Sequence, residues 1–150
     1  MRVLIDADGC PVVRIAVDCA KQHGIPVTLV CDSAHIFNLP GVEIITVSKG
    51  ADSADFRLVN LLQPGDIVIT QDYGLAAMSL ARRATPISQN GLIYTDDNID
   101  SLLLARHTSR KLRNAGVRLK GPAKRTHEQD ETFLTAFKTL LSTRQCSPSE

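Results

Sequence analysis

Asp6 and Asp8 stand two residues apart, where the apolar run VLI ends in the sequence VLIDADGCPV. If the extended backbone persists, both carboxylates project to one side. Asp72 closes a second apolar run, DIVITQD, and Asp52 and Asp55 open the segment DSADFRLVNLL. Five carboxylates that converged would repel one another, and burial would raise the cost. A hard divalent cation removes that conflict. Oxygen donors without His or Cys suit Mg²⁺ or Mn²⁺ rather than Zn²⁺. Such an ion lowers the pKa of a bound water and stabilises charge on a phosphoryl group. Asp6, Asp8, Asp55 and Asp72 are the candidate catalytic residues, and Asp52 joins them as a candidate metal ligand.

Each acid also has a structural reading. Asp52 with Asp55 makes a good helix N-cap, Asp72 could cap a helix starting at Tyr73, and Asp8 could simply make the turn before Gly9. Asp6 is hardest to assign that way, because a carboxylate directly after a buried run needs a partner. Asp66, Asp96, Asp97 and Asp100 read as turn and cap residues, and Asp18 and Asp32 as surface or loop positions.

Those acids need elements to position them. RVLID, PVTLVCD (26–32), VEIITVS (42–48) and DIVITQD (66–72) have the length and composition of buried strands. Pro11 suits the first position of a helix that carries Val12, Ile15, Ala16, Cys19 and Ala20 on one face, with Gly24 past its end. Residues 52–62 and 73–83 read as helices, and 87–95 as strand-forming residues around an Asn-Gly turn. A longer helix covers 99–114, a basic linker 116–125. Thr126 and Gln129 form a capping box before a helix near 127–143 that carries Phe133, Phe137, Leu140 and Leu141. Strand and helix alternate through the first 83 residues, so the expected fold is α/β: a three-layer α/β/α sandwich on a mostly parallel sheet. In such sheets, sites form at the carboxyl ends of the strands. The 150 residues suit one domain.

Charge is unevenly spread. Residues 1–100 hold 7 Lys and Arg against 12 Asp and Glu; residues 101–150 hold 10 against 4. Residues 101–127 contain no acid, but do contain Arg106, Arg110, Lys111, Arg113, Arg118, Lys120, Lys124 and Arg125. On a helix, Arg106, Arg110 and Arg113 share a face. Such a stripe would pair with the phosphates of RNA or single-stranded DNA; the alternative is a solvated helix face and linker. With Tyr73 and Tyr94 the only tyrosines and no Trp, binding is expected to rest mainly on the backbone, with little sequence readout. None of the four cysteines forms a C-x-x-C pair, and Cys19 and Cys31 read as small buried hydrophobes. No stretch reaches the roughly 20 apolar residues of a membrane span, and the expected location is the cytoplasm.

DADGCPV, KGADSADF, DIVITQDYGLA and GLIYTDDNIDSLLLAR, with the Phe-bearing terminal helix, together resemble the YaiI/YqxD family of uncharacterised bacterial proteins over nearly the whole chain. That family is similar to PIN-like domains, a group of metal-dependent nucleases with an α/β/α fold. The resemblance implies that Asp6 is the strand-ending acid, Thr70-Gln71-Asp72 the late Thr-x-Asp, and Asp55, or else Asp52, the acid on a central helix. PIN domains often carry a further acid just beyond the late aspartate; here Tyr73-Gly74-Leu75 stands in that place. Asp8 could supply it, or the fold could bind nucleic acid or a protein partner without turnover. A run ending in Asp-x-Asp-Gly also resembles haloacid-dehalogenase-type phosphatases. Asp6 would then be the nucleophile and Asp8 the acid, with Ser48 or Thr46, Lys49 and Asp96-Asp97 completing the set. Cys10 replaces the Thr expected after that Gly.

Overall fold

The computed structural model describes residues 1–32, 38–48, 53–119, 121 and 123–146. The candidates Asp52 and Lys120, and Lys49 of the phosphatase reading, lie outside them. Five strands, β1 (Val3–Asp6), β2 (Val27–Asp32), β3 (Glu43–Val47), β4 (Ile67–Ile69) and β5 (Thr85–Ile87), form one sheet in the order β3-β2-β1-β4-β5. Every neighbouring pair is parallel. The central strands are apolar on both faces because both faces are covered.

Helices α1 (Val13–Gln22) and α5 (His127–Gln145) cover one face, where Ile5, Leu29 and Ile69 meet Val13, Val17, Phe133 and Phe137. Phe133 and Phe137 stack with ring centroids 5.3 Å apart. On the other face α2 (Ser53–Leu61) and α3 (Tyr73–Ala81) bring Leu58 and Leu75 onto Leu4, Val30 and Val68. Helix α4 (Asp96–Asn114) packs outside α3 through Ile99, Leu102 and Leu103. The architecture is the expected α/β sandwich, and its sheet is wholly parallel.

Several boundaries differ from those expected. Helix α1 begins at Val13, two residues after Pro11. Gly9 adopts φ +69° and Cys10 N–H donates to the Ala7 carbonyl at 3.2 Å, so residues 7–10 form a turn first. Helix α4 begins at Asp96 rather than at residue 99, because Thr95 and Asn98 make a reciprocal capping box. Strand β5 precedes the expected 87–95 segment. The chain turns at Asn90-Gly91 and returns with only one antiparallel bridge, Ile87 to Ile93. Thr126 and Gln129 form the predicted box before α5.

Candidate active site

The strand order reverses between β1 and β4. The chain adds β2 and β3 on one side of β1, then crosses back to lay β4 on the other. Such a reversal leaves a crevice beyond the carboxyl ends of the two strands. Asp6 ends β1 there, and Thr70 directly follows β4. The Thr70 hydroxyl donates to Asp6 Oδ2 at 3.1 Å while accepting the Asp72 N–H at 3.0 Å, so its orientation is fixed from both sides. Burial pushes the Asp6 carboxyl up to about 6. The charge of Asp55 adds to this, the Thr70 hydrogen bond opposes it, and Asp8 and Asp72 raise it further.

Two clefts meet at this point. Asp6 and Asp8 border both. One also holds Cys10, Thr70, Gln71 and Gln89; the other holds Asp32, Ser48, Ala54 and Asp55. Asp55 sits in the first turn of α2, which starts at this edge because β3 ends here. The Asp8 carboxylate accepts the backbone N–H of Asp32, at 3.0 Å to Oδ2 and 3.3 Å to Oδ1. Asp8 therefore does make a structural bond, and it faces the crevice as well. Asp32 was expected at a surface or loop position, yet it ends β2 in the cleft. The signal was available: TLVCD closes on a carboxylate just as VLID does, and in a parallel sheet both ends fall on one edge. Cys10 is half-buried; burial raises its thiol to about 11, so it stays protonated at neutral pH.

Asp72 caps α3, its Oδ1 accepting the N–H groups of Gly74 at 2.8 Å and Leu75 at 3.2 Å. The same oxygen lies 3.4 Å from Arg106 Nη1. Arg106 belongs to a stripe that explains the shape of α4. Ile99, Leu103, Arg106, Arg110 and Arg113 recur at three- and four-residue spacing, so they share one face. Ile99 and Leu103 pack that face against α3. Beyond α3 the face becomes cationic, and all three arginines are exposed. Lys111 and Lys124 are exposed as well, Lys111 on another side of the helix. Arg125 is engaged differently. Its guanidinium binds Asp130 at 2.6 Å, Asn90 Oδ1 at 2.8 Å and the Gln89 carbonyl at 2.7 Å.

Among the described residues, no three His, Cys, Asp or Glu side chains form a ready-made metal cage. The donor set is nevertheless all-oxygen. A Mg²⁺-type ion commonly takes only one or two protein carboxylates, with water and substrate oxygens completing its shell. The acids present fit an ion held that way, and not one held by protein alone. No described helix is long and apolar enough to cross a membrane.

Residues 4–143 match the family described as "Uncharacterized BCR, YaiI/YqxD family". A UPF0178 protein of Exiguobacterium sibiricum is 51% identical over 95% of this chain and 97% of its own length. One of Clostridium acetobutylicum is 48% identical over 94% and 97%, and one of Ruminiclostridium cellulolyticum is 46% identical over 100% and 98%. No solved structure matches the chain.

Proposed function

We propose that this chain, which belongs to the YaiI/YqxD family, is a divalent-metal-dependent phosphodiesterase of PIN-like type that cleaves RNA or single-stranded DNA. The observation that carries the reading is the placement of Asp6. It is a half-buried carboxylate at the switch point of the sheet, within electrostatic reach of Asp8, Asp55 and Asp72. A fold gains nothing in stability from gathering four acids, and a bound divalent cation would relieve their repulsion.

Bound Mg²⁺ or Mn²⁺ would supply an activated water and charge neutralisation at the scissile phosphate. Asp6 would hold the ion, with Asp8 or Asp55 as the second carboxylate. Thr70 keeps Asp6 in position by donating to Oδ2. Asp72 contributes negative potential while orienting Thr70 through its backbone N–H. The exposed face of Arg106, Arg110 and Arg113 begins beside Asp72 and would guide the phosphate backbone toward the crevice. Asp52 and Lys120 keep their candidate roles, as ligand and phosphate contact, on sequence grounds alone.

The phosphatase alternative has less support. Asp96 and Asp97 are exposed residues of the first turn of α4, and neither is among the charges that act on Asp6. A nucleic-acid-binding module without turnover draws on a specific observation, the lack of a ready-made cage among the described residues.

One assay separates these readings. End-labelled single-stranded RNA and DNA are incubated with the protein in Mn²⁺, in Mg²⁺ and in EDTA, beside Asp6→Asn. The nuclease reading expects metal-dependent cleavage that disappears in the variant. Retardation on a gel without cleavage would establish the binding module. Neither cleavage nor retardation would remove both, and phosphomonoesters would be the next substrates to try.

A further inference from the structure

The crevice at Asp6 continues into a third cleft. Gln71 and Gln89 line the acidic crevice on one side and this neighbouring cleft on the other, where Tyr73, Asn90, Leu92 and Tyr94 join them. Resting on the nuclease reading, we propose that this cleft is a nucleobase pocket, which takes the base of the nucleotide next to the scissile phosphate.

The pocket has the two features a base needs, an aromatic wall and polar groups with fixed directions. Tyr73 is partly exposed, and its ring is held by an edge contact with Tyr94, centroids 5.9 Å apart at 67°. Tyr94 is itself buried, and its hydroxyl donates to the Thr70 carbonyl at 3.4 Å. The tyrosine pair is thereby tied to the strand end that positions Asp6. The amide directions follow from their partners. Arg125 can only donate, so Asn90 turns Oδ1 toward it and presents its NH₂ group elsewhere. Gln71 Nε2 donates to Gln89 Oε1. That leaves Gln71 Oε1 as an acceptor and Gln89 Nε2 as a donor for another partner. Every nucleobase edge carries donors and acceptors, so these groups suit a base without singling one out.

The loop wall of the cleft, from Ser88 to Leu92, is preformed. Ser88 Oγ accepts the N–H groups of Asn90 at 3.2 Å and Leu92 at 3.1 Å. Gly91, at φ +86°, lies so close to α5 that an added Cβ would stand 2.9 Å from the Thr132 carbonyl. Arg125 clamps the same turn through Asn90 Oδ1 and the Gln89 carbonyl. A pocket whose loop is already ordered loses little entropy on binding. To binding expected to rest mainly on the backbone, the pocket would add one stacking site beside the acids.

The test compares a short single strand with an abasic strand of the same phosphate backbone, by fluorescence anisotropy in EDTA and again with Ca²⁺. Wild-type protein should bind the base-bearing strand about tenfold more tightly, the size of one base–aromatic stack. Tyr73→Phe should keep that preference. Tyr73→Leu, which retains apolar bulk but no ring, should bring the two strands to equal affinity. A thermal melt checks that each variant folds. Equal affinity for both strands in the wild type, or a preference that survives Tyr73→Leu, would overturn the base pocket and leave the nuclease reading standing. Failure of the wild type to bind either strand would overturn both.

Discussion

Asp66 and Asp6 lie at opposite edges of the same sheet and are treated in opposite ways. Asp66 precedes β4 at the amino edge and is only 2% exposed. Its carboxylate accepts the Arg2 backbone N–H at 3.0 Å and the Gln63 N–H at 3.0 Å, and pairs with the Arg2 guanidinium at 3.2 Å. Asp6 ends β1 at the carboxyl edge and accepts one hydroxyl hydrogen bond among the described residues, with acids rather than a cation as its charged neighbours. The first carboxylate is completed by the fold. The second keeps one hydroxyl donor and acidic neighbours, and on the proposed reading a bound cation would complete it. Burial alone therefore does not distinguish the two acids; the sign of the charge around each does.

That contrast breaks first, and most heavily, at Asp66. Asp66→Ala leaves two backbone donors without their acceptor and a partly buried guanidinium without its carboxylate, holding only the Leu61 carbonyl. Unfolding in urea should show a loss of about 3–5 kcal/mol. A loss under about 1 kcal/mol would mean that Arg2 finds solvent easily and that the amino edge is not closed by this pair.

Asp6→Asn should move stability the other way, by about 1–2 kcal/mol at pH 7.5. The carboxyl rises from 3.8 unfolded to about 6 folded, so between those values the folded state binds the proton that the unfolded state has lost. Stability from this group is greatest below pH 4, falls as pH rises toward 6, and is flat above. Asn cannot titrate. The gap between variant and wild type should open across pH 4–6 and stay constant beyond. A gap independent of pH would show that the acids around Asp6 do not load it with unfavourable charge.

How far this contrast could be read from the sequence depends on what each residue needs to be recognised. VLID shows a carboxylate at the end of an apolar run, and alternating strands and helices place that end on a shared edge, so Asp6, Asp8, Asp55 and Asp72 were legible. The capping box at Thr126 and Gln129 is a local code and was read directly. Asp66 reads as a turn residue and does close the turn from Gln63, but its pairing with Arg2, 64 positions away, has no local pattern. Asp32 needed the parallel register of β1 and β2. The tyrosine-lined cleft needed the return from Ile87 to Ile93, which brings Tyr94 against Tyr73. Arg125 looked like one more member of a basic run until Asn90 and Asp130 took up its donors.

If the acids are completed by a cation, adding one should remove the cost that Asp6 carries. Mn²⁺ at about ten times its dissociation constant should stabilise the wild type at pH 7.5 by roughly 1.4 kcal/mol, read as a rise in melting temperature. Asp6→Asn should gain much less at the same concentration. An equal gain in both proteins would place the ion elsewhere, and would separate the acidic crevice from any metal dependence of activity.

The smallest effect, and the sharpest division between cap and charge, lies at Asp72. Its Oδ1 caps α3 through Gly74 and Leu75, and its charge bears on Asp6. Asn caps a helix about as well as Asp, whereas Ala does not cap at all. Asp72→Ala should therefore cost about 1 kcal/mol, and Asp72→Asn only a few tenths. The exposed contact with Arg106 adds little to either figure, because side chains of that exposure are well screened. In the crevice the ranking differs. Both variants remove the same negative charge, so both should lower the pH at which Asp6 titrates, by the same small amount, as followed by carboxyl NMR. A shift in Ala alone would mean that the helix end moved and that Asp72 acts on Asp6 through Thr70. Equal shifts would mean that it acts through space, as one of the charges that leave Asp6 short of a partner.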